Sequence, residues 1–465
     1  MNFSKLYFAL SIIILIVAVS TVKSATIHVP ADEPTIQAGI NAAVAGDTVL
    51  VADGTYTGDG NRDIDFGGKG VVLKSENGPE VTIIDCQGTG ANPHREFYFH
   101  SGEDSSAVVD GFTIQGGYGL PDDPSGSSVG GGIKCDSASS PLIIHNIISG
   151  NLAGGFGGGG IVCWNSNPTI SNNTISENAA FFGGGGIVCW NSNPTISNNN
   201  ISGNSARVGG GIYCYFSSNA TISNNAITEN AASFGGGAIS CAISDPTISN
   251  NNISGNSATS RGGGFHFFNN SNPFIINCTI SRNTTSGSGS GVSLDGSSPS
   301  LENCIIAFNK GLDAISCILG SNPVLNCSDV YGNIGGDWVG CIADQAGING
   351  NFSLDPLFCD TSSGDFQLDA FSPCLAASPF NTCGVLIGAL GQGCDAGYIC
   401  ADANVDSQVN VGDVAYLIDY YFYSGTSPVS LVASDLNCDG SVNIADITYL
   451  AAYINGIGAA PCCQE

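Results

Sequence analysis

The sequence predicts an all-β solenoid, a fold in which the chain winds as one coil of stacked parallel strands, followed by a small helical module. Two observations predict the coil. All residues at positions 160–173 recur in the same order at positions 186–199. Weaker copies follow at the same spacing of about 26 residues, and fixed periods of that size are typical of repeat architectures. A third observation, the change of composition from Cys400 onward, sets the helical module apart.

Each repeat contains three short runs rich in β-branched residues, such as 160–164, 168–171 and 174–176, separated by Gly or Asn. The runs are too short and too alternating for helices, and they fit strands. Three strands and three turns make one rung, and successive rungs pair in parallel at ~4.8 Å. About a dozen rungs would give a rod on the order of 55 to 60 Å long.

Residues 1–24 are typical of a secretory signal, with Lys5 ahead of an apolar run at 6–19 and small residues after it. The run is shorter than the ~20 residues that a membrane span needs. We therefore expect cleavage, no membrane insertion of the mature chain, and a secreted or cell-surface protein. The mature chain then divides into a coil at 25–395 and a module at 398–465.

The composition is strongly acidic. Among 465 residues, 39 are Asp or Glu and 11 are Lys or Arg, for a net charge of -28 at pH 7. Such a surface repels nucleic-acid phosphates and anionic lipids, so we expect neither as a partner. Divalent cations are favoured instead.

The coil needs a cap at its N-terminal end to cover the core and the strand edges. Residues 34–44 place Ile36, Ile40 and Val44 at helical spacing, which predicts a helix with one face on the first rung. Strands then begin near Val49.

Two kinds of residue recur once per rung. Cys135, Cys163, Cys189, Cys214 and Cys241 predict a column of thiols in a dry interior, where Cys acts as a small hydrophobe. A second group of cysteines falls in turn-rich sequence where disulfides are expected without an assignable pairing: Cys359, Cys374, Cys383, Cys394, Cys400, Cys438, Cys462 and Cys463.

Paired asparagines at 172/173, 198/199, 224/225 and 250/251 fall at one corner of each rung. A residue that tolerates left-handed backbone angles is needed at such a corner. Stacked Asn side chains can also hydrogen-bond one another along the rod. We therefore interpret these amides as structural.

The opening segment, the early run 109–114 and the closing segments 355–358, 364–368 and 372–374 resemble exported proteins of the pectin-lyase-like superfamily. The glycine-rich rungs are also similar to repeats of polymorphic bacterial outer-membrane proteins. The resemblance covers about residues 26 to 395. It implies a right-handed parallel β-helix, and it points to fold more than to activity.

The C-terminal module contains two twelve-residue loops, 402–413 and 435–446, with oxygen-bearing side chains at alternating places. A hard cation takes about six to eight oxygen ligands, and such a loop supplies them, including a backbone carbonyl from the seventh place. We therefore expect two calcium ions. The predicted ligands are Asp402, Asn404, Asp406, Gln408, Asn410 and Asp413 in the first loop, and Asp435, Asn437, Asp439, Ser441, Asn443 and Asp446 in the second.

An apolar helical stretch follows each loop, and the two loop-helix units resemble a type I dockerin, which implies calcium binding and a cohesin partner. Two departures from that family stand out. Ser407 replaces the usual turn glycine of the first loop, so the two sites can differ in affinity. The tenth and eleventh places are apolar or small (411–412 and 444–445) instead of hydroxyl-bearing, and basic residues are missing from the helix that follows, which weakens the expectation of cohesin recognition.

No catalytic set of the superfamily is visible in the regular repeats, which lack both the clustered bases of lyases and the paired aspartates of inverting hydrolases. The catalytic residues are therefore unknown. Within the coil the best remaining candidate is the segment 85–110, which concentrates ionisable residues either as an acid, base or metal site or as a polar surface loop inserted between rungs. They are Asp85, His94, Arg95, Glu96, His100, Glu103, Asp104 and Asp110.

Strand alternation turns Trp164 outward if Cys163 points inward. The same outward column then holds Trp190, Tyr215 and Phe268, with Tyr213 and His266 one outward place away. Aromatic rings at ~4.8 Å spacing could stack on sugar rings or pack on one another. Two functions remain open: an exported protein that cleaves or grips a polysaccharide, or a non-catalytic, adhesin-like surface rod.

Overall fold

The structure is a computed structural model that describes residues 24–121, 128–394, 399–428 and 430–462. The predicted signal segment lies almost entirely outside the described residues, and so does Cys463. No helix within these ranges is long and apolar enough to cross a membrane.

The rod is a parallel coil whose described strands form three long sheets, as the repeat predicts. Sheet 1 has twelve strands: Thr26–Val29, Thr48–Val51, Val72–Ser75, Val108–Asp110, Leu142–Ile144, Thr169–Ser171, Thr195–Ser197, Thr221–Ser223, Thr247–Ser249, Phe274–Ile276, Ser300–Glu302 and Val324–Asn326. Sheet 2 has eleven: Gly54–Tyr56, Thr82–Asp85, Thr113–Gln115, Ile147–Ser149, Thr174–Ser176, Asn200–Ser202, Ala226–Thr228, Asn252–Ser254, Thr279–Ser281, Ile305–Ala307 and Asp329–Tyr331. Sheet 3 has nine: Phe97–Phe99, Ile133–Cys135, Ile161–Trp164, Ile187–Trp190, Ile212–Tyr215, Ile239–Ala242, Phe265–Phe268, Val292–Asp295 and Ile315–Ile318.

A fourth parallel sheet was not predicted. In the described chain it has six short strands, which lie between sheets 2 and 3 along each rung. They are Leu152–Ala153, Ala179–Ala180, Ser205–Val208, Ala231–Gly235, Ser257–Ala258 and Thr284–Thr285. Runs of glycine connect this sheet to sheet 3. Glycine is needed there because a Cβ added to Gly159 would lie 2.4 Å from the Ala179 carbonyl oxygen on the next rung. Side chains are excluded there by the next rung.

Like residues stack in register along the rod. Ile161 pairs with Ile187, and Cys163 with Cys189. The predicted thiol column is confirmed, since Cys135, Cys163, Cys189, Cys214 and Cys241 are buried free cysteines on neighbouring rungs.

The predicted Asn corner is also confirmed. Asn172 has a left-handed φ of 57°, and Asn173 is buried. The Asn173 amide nitrogen Nδ2 donates to Asn199 Oδ1 at 3.1 Å, and Asn199 Nδ2 donates to Asn225 Oδ1 at 3.0 Å. A second buried Asn ladder, which the sequence analysis missed, follows sheet 2 through Asn151, Asn178, Asn204, Asn230, Asn256, Asn283, Asn309 and Asn333.

The N-terminal cap is a helix at Ile36–Ala42, which Thr35 caps. Ile36 and Ile40 are buried as predicted, but Val44 is 57 % exposed. The prediction for Val44 was wrong because the helix ends at Ala42 and Ala43 is extended. Ala43 is buried instead.

The far end of the rod is closed by the 3-10 helix Gly340–Gln345 and by the strands Phe358–Asp360, Asp365–Asp369 and Gln392–Cys394. The described disulfides at this end join Cys317 to Cys341, Cys327 to Cys383 and Cys359 to Cys394. Cys374 is a free, buried thiol, which corrects the expectation that it would be paired. Its Sγ contacts the carboxylate of Asp329 in the core.

The C-terminal module contains the helices Val411–Tyr423, Leu431–Ser434 and Ile444–Ile454. Its small core contains Leu417, Leu436 and Leu450. Cys438 is disulfide-bonded to Cys462, and Cys400 is disulfide-bonded as well. The module is therefore held by both apolar packing and covalent cross-links.

Candidate functional sites

The aromatic strip, defined as Trp164, Trp190 and Tyr215, lies on the outer face of sheet 3. The indole rings of Trp164 and Trp190 stack at 4.7 Å and are parallel within 5°. Tyr215 meets Trp190 edge-on, also at 4.7 Å. Because the strands are in register, each ring sits directly above the last.

Phe268 does not continue this strip, because Ala242 occupies the rung between it and Tyr215. Phe268 stacks instead on His266 at 4.8 Å. Tyr213 lies beside Tyr215, and its burial raises the pKa of its phenol. The four predicted stacking residues thus form a group of three and a separate ring.

The strip is partly covered from the side of the fourth sheet. Phe156 meets Trp190 edge-on at 5.7 Å, and Phe182 packs with the same cluster. Among the described rings, only Trp190 stacks on Trp164, and the preceding rung carries Asp136 at the equivalent place. Among the described residues, no second aromatic ring stacks on the other face of the Trp164 indole.

The ionisable residues at 85–110 do not form one cluster but lie at several separate positions on the rod. His94 Nδ1 lies 2.6 Å from Asp63 Oδ2, and His100 Nε2 lies 3.4 Å from Asp65 Oδ2. These two aspartates, on the preceding rung, were not among the predicted residues. Arg95 is fully buried.

Tyr98 connects Arg95 and His100 to the next rung. The Arg95 guanidinium lies 4.9 Å from the centre of the Tyr98 ring, and the Lys134 ammonium lies 5.1 Å from it. His100 stacks on the same ring at 4.2 Å. Glu96 is fully buried beside this group, and burial raises the pKa of its carboxyl well above the usual range.

The other predicted carboxylates hold turns. Glu103 accepts from the Gly68 and Ser101 amides and the Ser139 hydroxyl. Asp104 accepts from Ser106. Asp110 and Asp85 serve similar structural purposes: Asp110 ion-pairs with Lys74 and His145, and Asp85 accepts from the Gln87 amide. These carboxylates do not form one site.

The first predicted calcium loop, 402–413, is closed by the carboxylates at its two ends. Asp402 Oδ1 accepts from the Asp406 amide at 3.0 Å, and its Oδ2 accepts from the Ser407 amide at 2.7 Å. Asp413 accepts from the amides of Asn404 and Asn410. The loop backbone is therefore wrapped around acidic oxygens.

The second loop repeats this geometry. Asp435 accepts from the amides of Asp439 and Gly440, and Asp446 accepts from the amides of Leu436 and Asn443. At the sixth place Ser407 and Gly440 share a left-handed φ, 69° and 85°. That backbone costs roughly 1 kcal/mol for a residue with a Cβ.

The ninth-place amides also cap the helices that follow. Asn410 Oδ1 accepts from the Gly412 amide at 2.6 Å, and Asn443 Oδ1 accepts from the Ala445 amide at 2.7 Å. Each helix carries a complete capping box with Asp413 or Asp446 at its third position. Loop and helix therefore form one unit.

The donor set of each loop fits a hard cation. Burial, together with the charges of Asp446 and Asp439, raises the pKa of Asp435 to about 6. Burial also raises the pKa of Asp413, and Asp402 and Asp406 add to that shift. A bound cation would offset this repulsion.

Carboxylates alone do not complete a site. In the described residues no group of three or more His, Cys, Asp or Glu side chains converges to hold a metal. Amide and backbone carbonyl oxygens, such as that of Gln408, which accepts from Asn410 Nδ2, would have to complete the shell. An oxygen-only shell of mixed donors suits calcium.

Two family models match the chain. The model of the right handed beta helix region matches residues 48–207 and, again, 185–353, which together make up more than half of the chain. The model of the dockerin type I domain matches residues 400–455, where both predicted calcium loops lie. No curated protein matches the sequence.

Proposed function

Because the chain belongs to the right-handed β-helix family and carries a type I dockerin domain, we propose that it is a secreted carbohydrate-binding or carbohydrate-active protein. Type I dockerin domains bind calcium and dock onto cohesin domains. In this proposal the dockerin, loaded with two calcium ions, anchors the protein to a cohesin-bearing partner. The rod then faces a polysaccharide.

The observation that carries the glycan part of the proposal is the aromatic strip. Indole rings present a flat apolar face of the kind that packs on the C–H face of a sugar ring. Trp164 offers such a face at the N-terminal end of the strip, where no other described ring covers it. In this proposal the rod binds the glycan, and hydrolysis of O-glycosyl bonds would be a further activity beside binding.

A non-catalytic, adhesin-like rod is the second candidate. The observation that favours it is the use of the early-rung carboxylates, since Glu103, Asp104 and Asp110 accept turn amides or pair with cations. An inverting hydrolase needs two carboxyls facing each other across ~6.5 to 9.5 Å. The described early rungs do not bring these three together.

The glycan proposal is tested with intact protein by following tryptophan fluorescence during titration with xylan, cellulose and pectin oligosaccharides, and by assaying product release. We expect at least one glycan to perturb the fluorescence, and Trp164→Ala to weaken its binding by about tenfold, because the indole supplies the large apolar surface on which a sugar ring packs. Trp338→Phe removes a tryptophan outside the strip and should leave affinity unchanged. No binding to any glycan, with capture only of a surface protein, would favour the adhesin-like rod.

The calcium proposal is tested by calorimetric titration of the full chain. We expect two ions to bind, one of them lost in Asp402→Ala and the other in Asp435→Ala, because each variant removes the first ligand of one loop. Asp419→Asn removes a charge from the first dockerin helix outside the loops and should keep both ions. Cohesin binding should appear only with calcium, and equal ion counts in all variants would contradict the assignment.

A further inference from the structure

A cleft lies where the closing segment of the rod passes over the corner that follows sheet 2. The basic cleft, defined by Arg282, Lys310, Glu229 and the loop 361–364, has a volume of about 520 Å³. It lies outside sheet 3 and therefore apart from the aromatic strip. Its wall includes the hydroxyls of Ser254 and Ser362.

The charge of the basic cleft is opposite to that of the molecule. The chain has 11 Lys and Arg residues and a net charge of -28, yet two of these cations face one acidic side chain, Glu229, in this cleft. In the part of the chain that the structure describes, neither Arg282 nor Lys310 forms an ion pair, whereas Lys74, Lys134 and Arg261 do. These two cations therefore retain uncompensated positive charge.

The Arg282 guanidinium is held in place by the cleft itself. One of its nitrogens, Nη1, donates to the carbonyl oxygen of Thr361 in the overlying loop. The remaining N–H groups of a guanidinium are fixed by that contact in a planar fork, which suits carboxylate or sulfate oxygens. Lys310 is exposed on the next rung and adds an ammonium group.

A second cavity extends the basic cleft along the rod, because Lys310 borders both. This small-residue groove, of about 640 Å³, runs over the fourth sheet. Its floor carries Ser205, Ala231, Ser257 and Thr284 on successive rungs in parallel register. Rungs repeat at ~4.8 Å, so the floor extends for roughly 15 Å with no large side chain across it.

We infer that the basic cleft and the small-residue groove form a binding site for a linear acidic glycan. A carboxylate or sulfate ester of the glycan would bind Arg282 and Lys310, sugar hydroxyls would donate to Glu229, and the chain would extend along the groove. A nucleic acid fits less well, because it carries a phosphate every ~3.4 Å per strand and would meet two cations on a strongly negative molecule. The inference rests on the proposed role of the rod in glycan binding and names the class of glycan.

The test is calorimetric titration of the intact, calcium-loaded protein with three probes: an alginate oligosaccharide for carboxylates, a carrageenan oligosaccharide for sulfates, and a xylo-oligosaccharide as the neutral probe. At least one acidic probe should bind more tightly than the neutral one, and more weakly as salt rises. Lys310→Gln and Arg282→Gln should each weaken it by about tenfold, because each removes a charge-assisted hydrogen bond. Lys310→Arg should retain the affinity.

Lys74→Gln serves as the matched control, since it removes the same charge from the outer face of sheet 1. It should leave the affinity for acidic probes unchanged. Equal affinity for neutral and acidic probes, or wild-type affinity in both Lys310→Gln and Arg282→Gln, would overturn the inference. Equal affinity for a single-stranded oligonucleotide would overturn the choice of a glycan.

The Trp164→Ala variant separates this inference from the proposed function. If Trp164→Ala loses binding to the neutral glycan and the wild type shows no preference for acidic probes, the proposed function is retained and the basic cleft is rejected as a binding site. Acidic-probe binding that survives Trp164→Ala and fails in Lys310→Gln supports the basic cleft independently of the aromatic strip.

Discussion

A single buried carboxyl group shows how burial affects the binding of a proton inside this rod. Asp329 is fully buried on the last strand of sheet 2, where Oδ1 accepts from the Leu354 amide at 3.1 Å. Its other oxygen contacts the Cys374 thiol at 3.5 Å. Burial raises the pKa of Asp329 well above its usual range.

This shift makes a prediction about pH. A raised pKa means that the folded state holds the proton of Asp329 more tightly than the unfolded state does. The contribution of this proton to the free energy of unfolding is therefore complete below the unfolded pKa of about 3.9, and it is lost as pH rises through the folded pKa. Asp329→Asn should therefore increase the free energy of unfolding at pH 7, by about 1.4 kcal/mol for each unit of the shift. Urea unfolding should show that the gain shrinks toward pH 4.

The exposed Asp344 provides the control for that measurement. Asp344→Asn should have the same stability as the wild type across the range, within about 0.5 kcal/mol. A constant difference between Asp329→Asn and wild type at every pH would show that the substitution acts through packing and not through the proton.

At the scale of elements, the Asn ladders link successive rungs at the corners of the coil. Asn199 is 2 % exposed. Its Nδ2 donates to the carbonyl oxygen of Ile170 at 2.9 Å, and its Oδ1 accepts from the Asn173 amide at 3.0 Å. One side chain thus links three successive rungs, because it also donates to Asn225.

Removal of one ladder amide should be costly. Asn199→Ala leaves buried donors and an acceptor without partners, each at about 1 to 3 kcal/mol, so we expect a loss of about 3 kcal/mol or more in the free energy of unfolding. Asn200→Ala, an exposed neighbour on the adjoining strand, should change it by less than about 0.5 kcal/mol. Similar denaturation midpoints for both variants would mean that the ladder does not carry the corner.

The sequence was sufficient to predict elements whose residues repeat. Cys163 and Asn173 recur on several consecutive rungs, and the period places them inside the coil or at its corner. The fourth sheet was missed because most of its strands, such as Ala179–Ala180, have only two residues and show no alternation to detect. Val44 was misplaced because helical spacing does not reveal where a helix ends.

The candidate sites were predictable to different degrees for the same reason. The ligands of each predicted calcium loop come from one short stretch of sequence, so the twelve residues 402–413 show the whole ligand pattern. The basic cleft joins Arg282 to a loop beyond residue 360, across 79 positions of sequence. No local pattern connects them, and only the folded closing segment brings them together.

At the scale of the whole molecule, the rod behaves as a one-dimensional stack in which each rung contacts its neighbours. Deletion of residues 161–186 joins Gly160 to Ile187 and restores the same local sequence one rung shorter. We expect the variant to fold, to lose one strand from each sheet, and to shorten by about 5 Å. Small-angle scattering and circular dichroism would measure both effects.

Deletion of only residues 161–173 is the matched comparison, since it removes half a repeat and places unlike strands on top of one another. That variant should fail to fold or should aggregate, while its dockerin keeps its calcium loops. Normal folding of the half-repeat deletion would contradict the view that register along the coil specifies the fold.

The buried thiol column limits the time available for maturation. Nine cysteines of the described chain remain reduced because they face a dry interior, and protection lasts only while the coil is wound. A chain that pauses half-wound in an oxidising compartment would offer neighbouring sulfurs to oxidants, and a wrong cross-link there would block further winding. The speed of coiling relative to oxidation would then decide the yield of folded protein, more than its final stability.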